Sequence, residues 1–304
     1  MNVLAIVIPY YKLAFFEATL RSLKTQTDQR FKVYIGDDAS PEDCSFLLKK
    51  FEGEFTVHYH RFENNLGRKC LAMQWERCIA LSANEEWVMI LGDDDVLGDN
   101  VVEGFYREFE KFNRLSNVVR YATIVLNEQN DSQSVKFVNP EFEDGLDSAV
   151  RKLRGGARSS LSEYFFTRAS YLKFGFIQYP CGFYSDDRAW VDFSDTKPIY
   201  SINESIVYIR ISDYSISGGN NIVNLNKARV EFLTYLCDHR LKFLSKRNKG
   251  FMLQQMENAL RKSNCKDYGL WVRLYFRCLF KLDRKELFKF HKRIFKVIQI
   301  KFIN

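Results

Sequence analysis

The sequence predicts an α/β fold: a mostly parallel, doubly wound sheet flanked by helices, followed by a helical C-terminal region. Three observations carry this. Over residues 1–126, short β-branched runs alternate with stretches of helical apolar spacing across short connections, which implies parallel β-α units. Two acidic clusters, Asp37-Asp38 and Asp93-Asp94-Asp95, fall where two of those runs end. From about Val223 onward every window reads helical.

Val3–Ile8 is a buried strand; with no basic leader and with Pro9-Tyr10-Tyr11 behind it, it does not read as a signal peptide. Leu13, Phe16, Leu20 and Leu23 keep helical spacing up to Gln26-Thr27. Phe31–Ile35 is a second strand, ending at Gly36-Asp37-Asp38-Ala39-Ser40-Pro41. A short helix is expected over 42–51, a third strand over 55–62, a loop at Asn64–Arg68 and a helix over 69–81. Trp87–Leu91 is the fourth strand, followed by a helix over Val101–Phe112 and a strand over Val119–Leu126. From 127 to 160 the pattern fades into polar and Gly-rich sequence, a mobile connector or substrate-side loop. Order returns over 161–176, a short helix starts near Tyr184, Ile199–Ile211 alternates as a strand, and Ser215–Asn221 reads as a lid. The expected organisation is a domain over 1–222, its two halves meeting near residue 126, and a helical region over 223–304.

At 46% hydrophobic, 15% aromatic and 27% charged residues, the 304-residue chain is neither disordered nor collagen-like and can bury a sizeable core. No run approaches the ~18 apolar residues of a membrane-spanning helix. The net charge of +7 hides an asymmetry: residues 1–239 carry 27 Lys/Arg against 34 Asp/Glu, and residues 240–304 carry 18 against 4. Seven scattered cysteines without a C-x-x-C pair read as reduced residues of a cytoplasmic protein. The four histidines, His58 and His60 included, support no zinc site. No phosphate loop and no G-x-G-x-x-G follows the first strand, so ATPase and dehydrogenase activities have no support. The acidic body and the lack of a recognition motif argue against nucleic-acid binding.

In open α/β sheets ligands bind beyond the carboxyl ends of the strands, where both acidic clusters lie. Three adjacent carboxylates repel one another and are costly to gather without a cation. Such oxygen-rich sites suit Mg²⁺ or Mn²⁺ bridging to a diphosphate. Helix capping accounts for Asp43 or Asp99, but it needs one carboxylate and not three.

Ile6-Val7-Ile8-Pro9-Tyr10-Tyr11, Leu20-Arg21-Ser22-Leu23 with Gln26-Thr27, and Gly36-Asp37-Asp38-Ala39-Ser40 resemble the opening of glycosyltransferase family 2. Asn65-x-Gly67-Arg68, Ile90-Leu91-Gly92-Asp93-Asp94-Asp95 and Ser185-Asp186-Asp187-Arg188-Ala189-Trp190 continue that resemblance in the same order, over roughly residues 1–215. It implies the Rossmann-like GT-A fold, a nucleotide-diphosphate sugar donor with a UDP-sugar favoured, a divalent cation, and inversion at the anomeric carbon.

Residue by residue, the resemblance implies that Pro9 and Tyr11 lie beside the nucleotide base and that Asp38 accepts the base's N–H. Arg68 would contact phosphate or base, Asp93 the ribose, and Asp94 the metal, with Asp95 a second ligand or an orienting neighbour. Gly92 departs from the commoner Asp-x-Asp-Asp pattern and leaves open which two of the three aspartates bind. Asp187 maps onto the family's catalytic base, with Asp186 orienting the acceptor or repelling Asp187; one of the two can equally cap the helix through Trp190. Tyr179, Phe183, Tyr184 and Trp190 surround this pair as an acceptor-side cleft or as core. Tyr208, Arg210, Ser215 and Ser217 resemble the stretch that closes the family's site, where Arg210 either reaches the diphosphate or forms a structural ion pair. The Gln-x-x-Arg-Trp motif of processive synthases is absent, which favours a single addition per binding event.

In the tail, Trp271, Leu274, Tyr275, Cys278, Leu279 and Leu282 form one helical stripe beside Arg273, Arg277, Lys281 and Arg284. Asp283 and Glu286 resemble a capping box opening a second helix, with Leu287, Phe290, Ile294, Phe295 and Ile298 against Lys285, Lys289, Lys292, Arg293 and Lys296. Such helices lie on anionic membranes or pack on the catalytic domain with their charges solvated; both stay open. The sequence therefore points to a cytoplasmic enzyme, peripheral on the inner membrane face, that adds one sugar to a glycan acceptor, lipid-linked as in surface-polysaccharide assembly. A nucleotidyltransferase would want a glycine- and Lys/Arg-rich first loop where Pro9-Tyr-Tyr-Lys stands. A non-catalytic glycan- or membrane-binding module would not need Asp93–Asp95 and Asp187 intact.

Overall fold

A computed structural model describes residues 4–213, 221–282 and 284–303, with side chains as far as Arg293. The chain divides into two units, Met1–Asn220 and Asn221–Asn304. In the first, the elements run β1 (Leu4–Tyr10), α1 (Phe16–Lys24), β2 (Phe31–Asp37), α2 (Ser45–Lys50), β3 (Val57–Arg61), α3 (Leu71–Ile79), β4 (Trp87–Ile90), β5 (Val96–Leu97), α4 (Val101–Phe112) and β6 (Val118–Asn127). Then come β7 (Ser132–Gln133), β8 (Phe142–Glu143), α5 (Gly145–Leu153), β9 (Tyr164–Thr167), α6 (Arg168–Phe174), α7 (Ser185–Ser194) and β10 (Ile199–Ile211).

The main sheet has the order β3-β2-β1-β4-β9-β6-β10-β5. β1 pairs in parallel with β2 and β4, β2 with β3, and β6 with β10. β1 is buried on both faces, which is why it reads as an unbroken apolar run. Leu4, Ile6 and Ile8 face α1 and α4, whereas Ala5 and Val7 face Ala72, Trp75 and Ile79 of α3. On α4, Phe105 and Phe112 set their rings edge-on to Trp87 at 5.5 and 5.4 Å, geometry worth about 0.5–1.5 kcal/mol per pair beyond burial.

Two departures from the sequence pattern bear on the site. β9 runs antiparallel between β4 and β6; four consecutive apolar or β-branched residues (Tyr-Phe-Phe-Thr) abutting a helix carry no periodicity that marks a strand. The expected connector over 127–160 holds α5. Its cap is Asp144, which accepts the N–H groups of Leu146 and Asp147 at 2.8 and 3.1 Å. Glu143 ties this helix to the sheet by pairing with the fully buried Arg120 at 2.9 Å and with Arg151 at 2.7 Å.

All seven cysteines are free. His58 stacks on Tyr34 and His60 meets Phe62 edge-on. In the second unit, α8 (Ile222–Tyr235), α9 (Lys246–Lys262), α10 (Tyr268–Lys281) and α11 (Arg284–Ile303) follow one another. Ser245 and Asp267 cap α9 and α10. Leu274, Cys278 and Phe290 are buried, and the buried Glu257 of α9 holds Arg293 of α11 at 2.8 Å.

The expected stripe on α10 is split: Leu274 and Cys278 pack inward, while Tyr275 and Leu279 join Tyr268, Val272, Phe276 and Phe280 on a second, exposed apolar face. Arg273 and Arg277 are not simply solvated, since both pair with Asp238. No helix among the described residues is long and apolar enough to cross a membrane. Ser215, Ser217, most of the expected lid, Asp283, and the side chains of Ile294, Phe295, Lys296 and Ile298 lie outside the described residues.

Candidate active site

The strand order reverses at β1, which lies between β2 and β4, and the crevice beyond such a switch point is where an open sheet takes its ligand. Asp93 stitches the two strand ends together: its Oδ2 accepts the backbone N–H of Tyr11 at 2.7 Å and of Lys12 at 2.8 Å. Thr19 Oγ1 donates to the carbonyls of Asp93 and Asp95 at 3.1 and 2.8 Å, pinning the turn from below. Burial, reinforced by Asp94, pushes the Asp93 carboxyl up to about 6.

The three aspartates are not equivalent. Asp95 is buried and both of its oxygens are engaged, Oδ1 by the Arg210 N–H at 2.8 Å and Oδ2 by the Ser162 hydroxyl at 2.5 Å. Burial and then Asp94 push it up to about 7. Asp94 is half-buried, and among the described residues its carboxylate has no hydrogen-bond or ion-pair partner beyond its own N–H; burial raises it, against Lys12 and Arg210. Gly92 stands where a Cβ would come 3.0 Å from Asp95 Oδ2 and 3.1 Å from Asp94 Oδ1, so an aspartate in its place would crowd both carboxylates. Arg210 forms the structural ion pair, with Glu128, while donating to the Asp94 carbonyl at 3.0 Å and covering the Phe15 ring.

No group of three His, Cys, Asp or Glu side chains converges into a closed metal cage among the described residues. One unpartnered carboxylate beside one oriented carboxylate nevertheless suits a hard divalent ion that completes its shell with water and substrate oxygens.

Asp38 lies one residue past β2. Its carboxylate accepts the N–H of Leu66 at 2.7 Å and of Gly67 at 2.9 Å and pairs with Arg77 of α3. Arg77 also stacks over Phe62 and donates to the Asn64 carbonyl at 2.8 Å. The Asp38 N–H donates to the Tyr10 carbonyl at 3.0 Å, which seats this pocket against the end of β1, where Pro9 is half-buried and Tyr11 exposed. Arg68 is exposed on the same loop, and among the described residues its guanidinium is unpaired.

Further along the chain, α7 is entered through positive φ at Cys181, Gly182 and Tyr184, conformations that cost a non-glycine residue of order 1–3 kcal/mol each. That entry sets Asp186 and Asp187 in the first turn of α7. Burial, then Asp187, pushes Asp186 up to about 7. Asp187 is nearly buried, and Lys152 of α5 donates to both of its oxygens at 2.6 and 2.8 Å. Trp190 departs from the acceptor-side expectation: at 3% exposure it packs in the core, stacked on Tyr164 at 4.1 Å, with no open face for a sugar.

One short segment joins the two acidic centres. The Ser159 carbonyl accepts from Lys152 at 3.2 Å, and Ser162, three residues on, holds Asp95. Three residues span at most about 11 Å, so carboxylates 92 positions apart in the chain flank a single strip of backbone.

A family model described as Glycosyl transferase family 2 matches residues 5–182. The chain belongs to that family. It is accordingly a glycosyltransferase, and its mixed α/β sheet flanked by helices is the GT-A fold. Among solved structures, it is similar to S. aureus TarS 1–349 in complex with UDP-GlcNAc, with a TM-score of 0.65 and 12% identity over 93% of this chain and 82% of that one. The same TarS fragment in complex with UDP gives 0.61 and 13%. TarS as a longer chain gives 0.62 and 12%, with 50% of that chain covered. At these identities the likeness is one of fold. A comparison with curated protein sequences finds no significant match.

The family's motif positions gave no hint of Lys152, Ser162 or Arg77. For Lys152 a signal was present: Asp144 as a cap, followed by Leu146, Ala149, Val150 and Leu153 at helical spacing, marks the helix that carries it. Nothing in the local sequence marks Ser162 or Arg77, whose partners lie 67 and 39 positions away.

Proposed function

We propose that this glycosyltransferase moves one sugar from a UDP-sugar to a hydroxyl of a glycan acceptor, with inversion and with the help of Mg²⁺ or Mn²⁺. The observation that carries this reading is the Ser159–Ser162 strip, with the Asp93–Asp95 triad on one side and Asp187 on the other. The domain over 1–222 does the chemistry. Asp38, with Pro9, Tyr11 and Arg68 around it, receives the nucleotide base; Asp38 Oδ2 already takes one N–H and has a lone pair left for another. Asp93 holds the ribose side. Asp94, oriented beside Asp95, would hold the cation, which when bound neutralises the diphosphate leaving group.

Asp187 takes the proton of the acceptor hydroxyl while that oxygen bonds to the anomeric carbon and the bond to the diphosphate breaks. Asp186 lines the acceptor side. Two features of the 223–304 region support a lipid-linked acceptor and a peripheral position on the inner membrane face: the exposed aromatic face of α10, and the excess of Lys/Arg over Asp/Glu.

Asp187→Asn tests the reading directly. The variant should keep the thermal shift given by UDP with Mn²⁺ and lose sugar transfer, read as UDP release. Near-normal turnover would reject the assignment.

A further inference from the structure

Lys152 closes the last turn of α5 and spends all three of its protons, two on the oxygens of Asp187 at 2.6 and 2.8 Å and one on the Ser159 carbonyl at 3.2 Å. The pair is sheltered, Asp187 at 7% and Lys152 at 28% exposure. Burial alone would favour the neutral amine; the charges of Asp187 and Asp186 outweigh it and hold Lys152 protonated. The end of α5 that carries the lysine is anchored. Its neighbour Arg151 is fixed to Glu143 and, at 2.7 Å, to Asn139, and Glu143 is fixed to Arg120.

Two adjacent buried carboxyls resist being ionised together. An ammonium seated on one of them decides which keeps the negative charge. We infer that Lys152 is the positioning residue of the base: it keeps the charge of the Asp186–Asp187 pair on Asp187 and fixes that carboxylate's plane, leaving one lone pair on each oxygen for an acceptor hydroxyl. This rests on Asp187 being the base. Lys152 keeps its protons throughout. Once Asp187 has accepted the acceptor's proton, that proton passes on to water.

Among the described residues, the other charged and titratable groups around the pair include Tyr164 on β9, Glu163 just before it, Arg158, which pairs with Glu163 at 3.4 Å, and Arg120 on β6. Arg188 pairs with Asp192 within α7, and Lys173 of α6 pairs with Asp195. Among the described residues, Lys152 is the ion-pair partner of Asp187.

The test is a pH titration of the full-length protein with ¹³C-labelled aspartate carboxyls, the pair's resonances being identified from Asp186→Asn and Asp187→Asn spectra. In Lys152→Gln, which keeps a donor and loses the charge, the pair takes up its proton at a pH higher by about one to three units, the effect of removing an opposite charge at contact. Lys152→Arg stays near wild type. The acid limb of UDP release from UDP-GlcNAc with Mn²⁺ moves with the titration and recovers at alkaline pH. An unmoved titration in folded Lys152→Gln overturns the inference and leaves Asp187's role intact. Turnover retained in Asp187→Asn removes both. Should Lys152→Gln not fold, the Lys152 εCH₂ resonance decides: in Asp187→Asn it titrates at lower pH, and no change there overturns the inference.

Discussion

Gly67 and Asp38 are in direct contact: the Gly67 N–H donates to Asp38 Oδ2 at 2.9 Å, and a Cβ at position 67 would stand 2.7 Å from that same oxygen. The loop can wrap the carboxylate only because residue 67 has no side chain. Gly67→Ala must rotate Asp38 or open the turn, and it forfeits a hydrogen bond to a charged group worth about 1.5–3 kcal/mol. UDP affinity by calorimetry is expected to fall about tenfold or more, with the shift given by Mn²⁺ alone unchanged. Wild-type UDP affinity in a folded Gly67→Ala protein would count against Asp38 as the base receptor.

Asp94 and Asp95 should separate by mutation. Asp95→Ala strands the Ser162 hydroxyl and the Arg210 N–H, both held by its carboxylate, and is expected to cost about 1–3 kcal/mol in urea unfolding. Asp94→Ala removes a half-buried carboxylate with no side-chain partner among the described residues and relieves its repulsion of Asp93 and Asp95, so the variant should be at least as stable as wild type in urea. It should nevertheless abolish the Mn²⁺-dependent increment in melting temperature with UDP. A full increment in Asp94→Ala would move the cation to another ligand set.

How much of this could be read from the sequence depended on how local the cause was. β1, β2, β4 and α4 announced themselves because burial on one or two faces writes an apolar pattern into consecutive residues. The strand-end aspartates announced themselves because adjacent like charges stand out against a pattern that folding alone would disperse. β9 did not, since its antiparallel insertion between β4 and β6 is decided by partners 80 and 48 positions away, counted from Trp87 to Thr167 and from Val118 to Phe166. Trp190 misled for the same reason: an aromatic beside two carboxylates reads alike whether it faces a cleft or, as here, Tyr164 in the core. The exposed face of α10 was hidden by its composition, because a helix apolar on two sides offers several stripes and only packing chooses the inner one.

Asp186 carries a pH signature that can be read without any ligand. Its carboxyl rises from 3.8 to about 7, through burial first and Asp187 second. Between those values the folded protein holds a proton that the unfolded chain has released, so stability falls as pH rises through that window. Below it both states are protonated; above it both are ionised and the penalty is complete. Asp186→Asn removes the penalty, so its gain in melting temperature over wild type should be largest near pH ~8 and fade toward pH ~4. A gain that is constant with pH, or largest in acid, contradicts the burial of this group as an ionised carboxylate.

The membrane-facing proposal makes its own demand on the tail. Phe276 and Phe280 of α10 are 52% and 75% exposed, and Phe288 of α11 is 71% exposed at i, i+4 spacing from Arg284 and Lys292. Exposed aromatics among cations gain by entering an anionic interface, each basic residue adding about 1 kcal/mol near the surface. These three side chains are exposed, Phe276 touching the Tyr275 ring edge-on at 6.0 Å, while Leu274, Cys278 and Phe290 are the buried ones, so serines in their place should leave the fold intact. The triple variant Phe276→Ser/Phe280→Ser/Phe288→Ser is expected to lose flotation with phosphatidylglycerol vesicles while keeping its melting temperature and UDP binding. High salt should weaken flotation of the wild type but not abolish it, since screening removes the electrostatic part and leaves the aromatic part. If the full-length protein never floats with anionic vesicles, the surface belongs to another partner; if it floats equally with neutral vesicles, the cations are not what recognises the lipid.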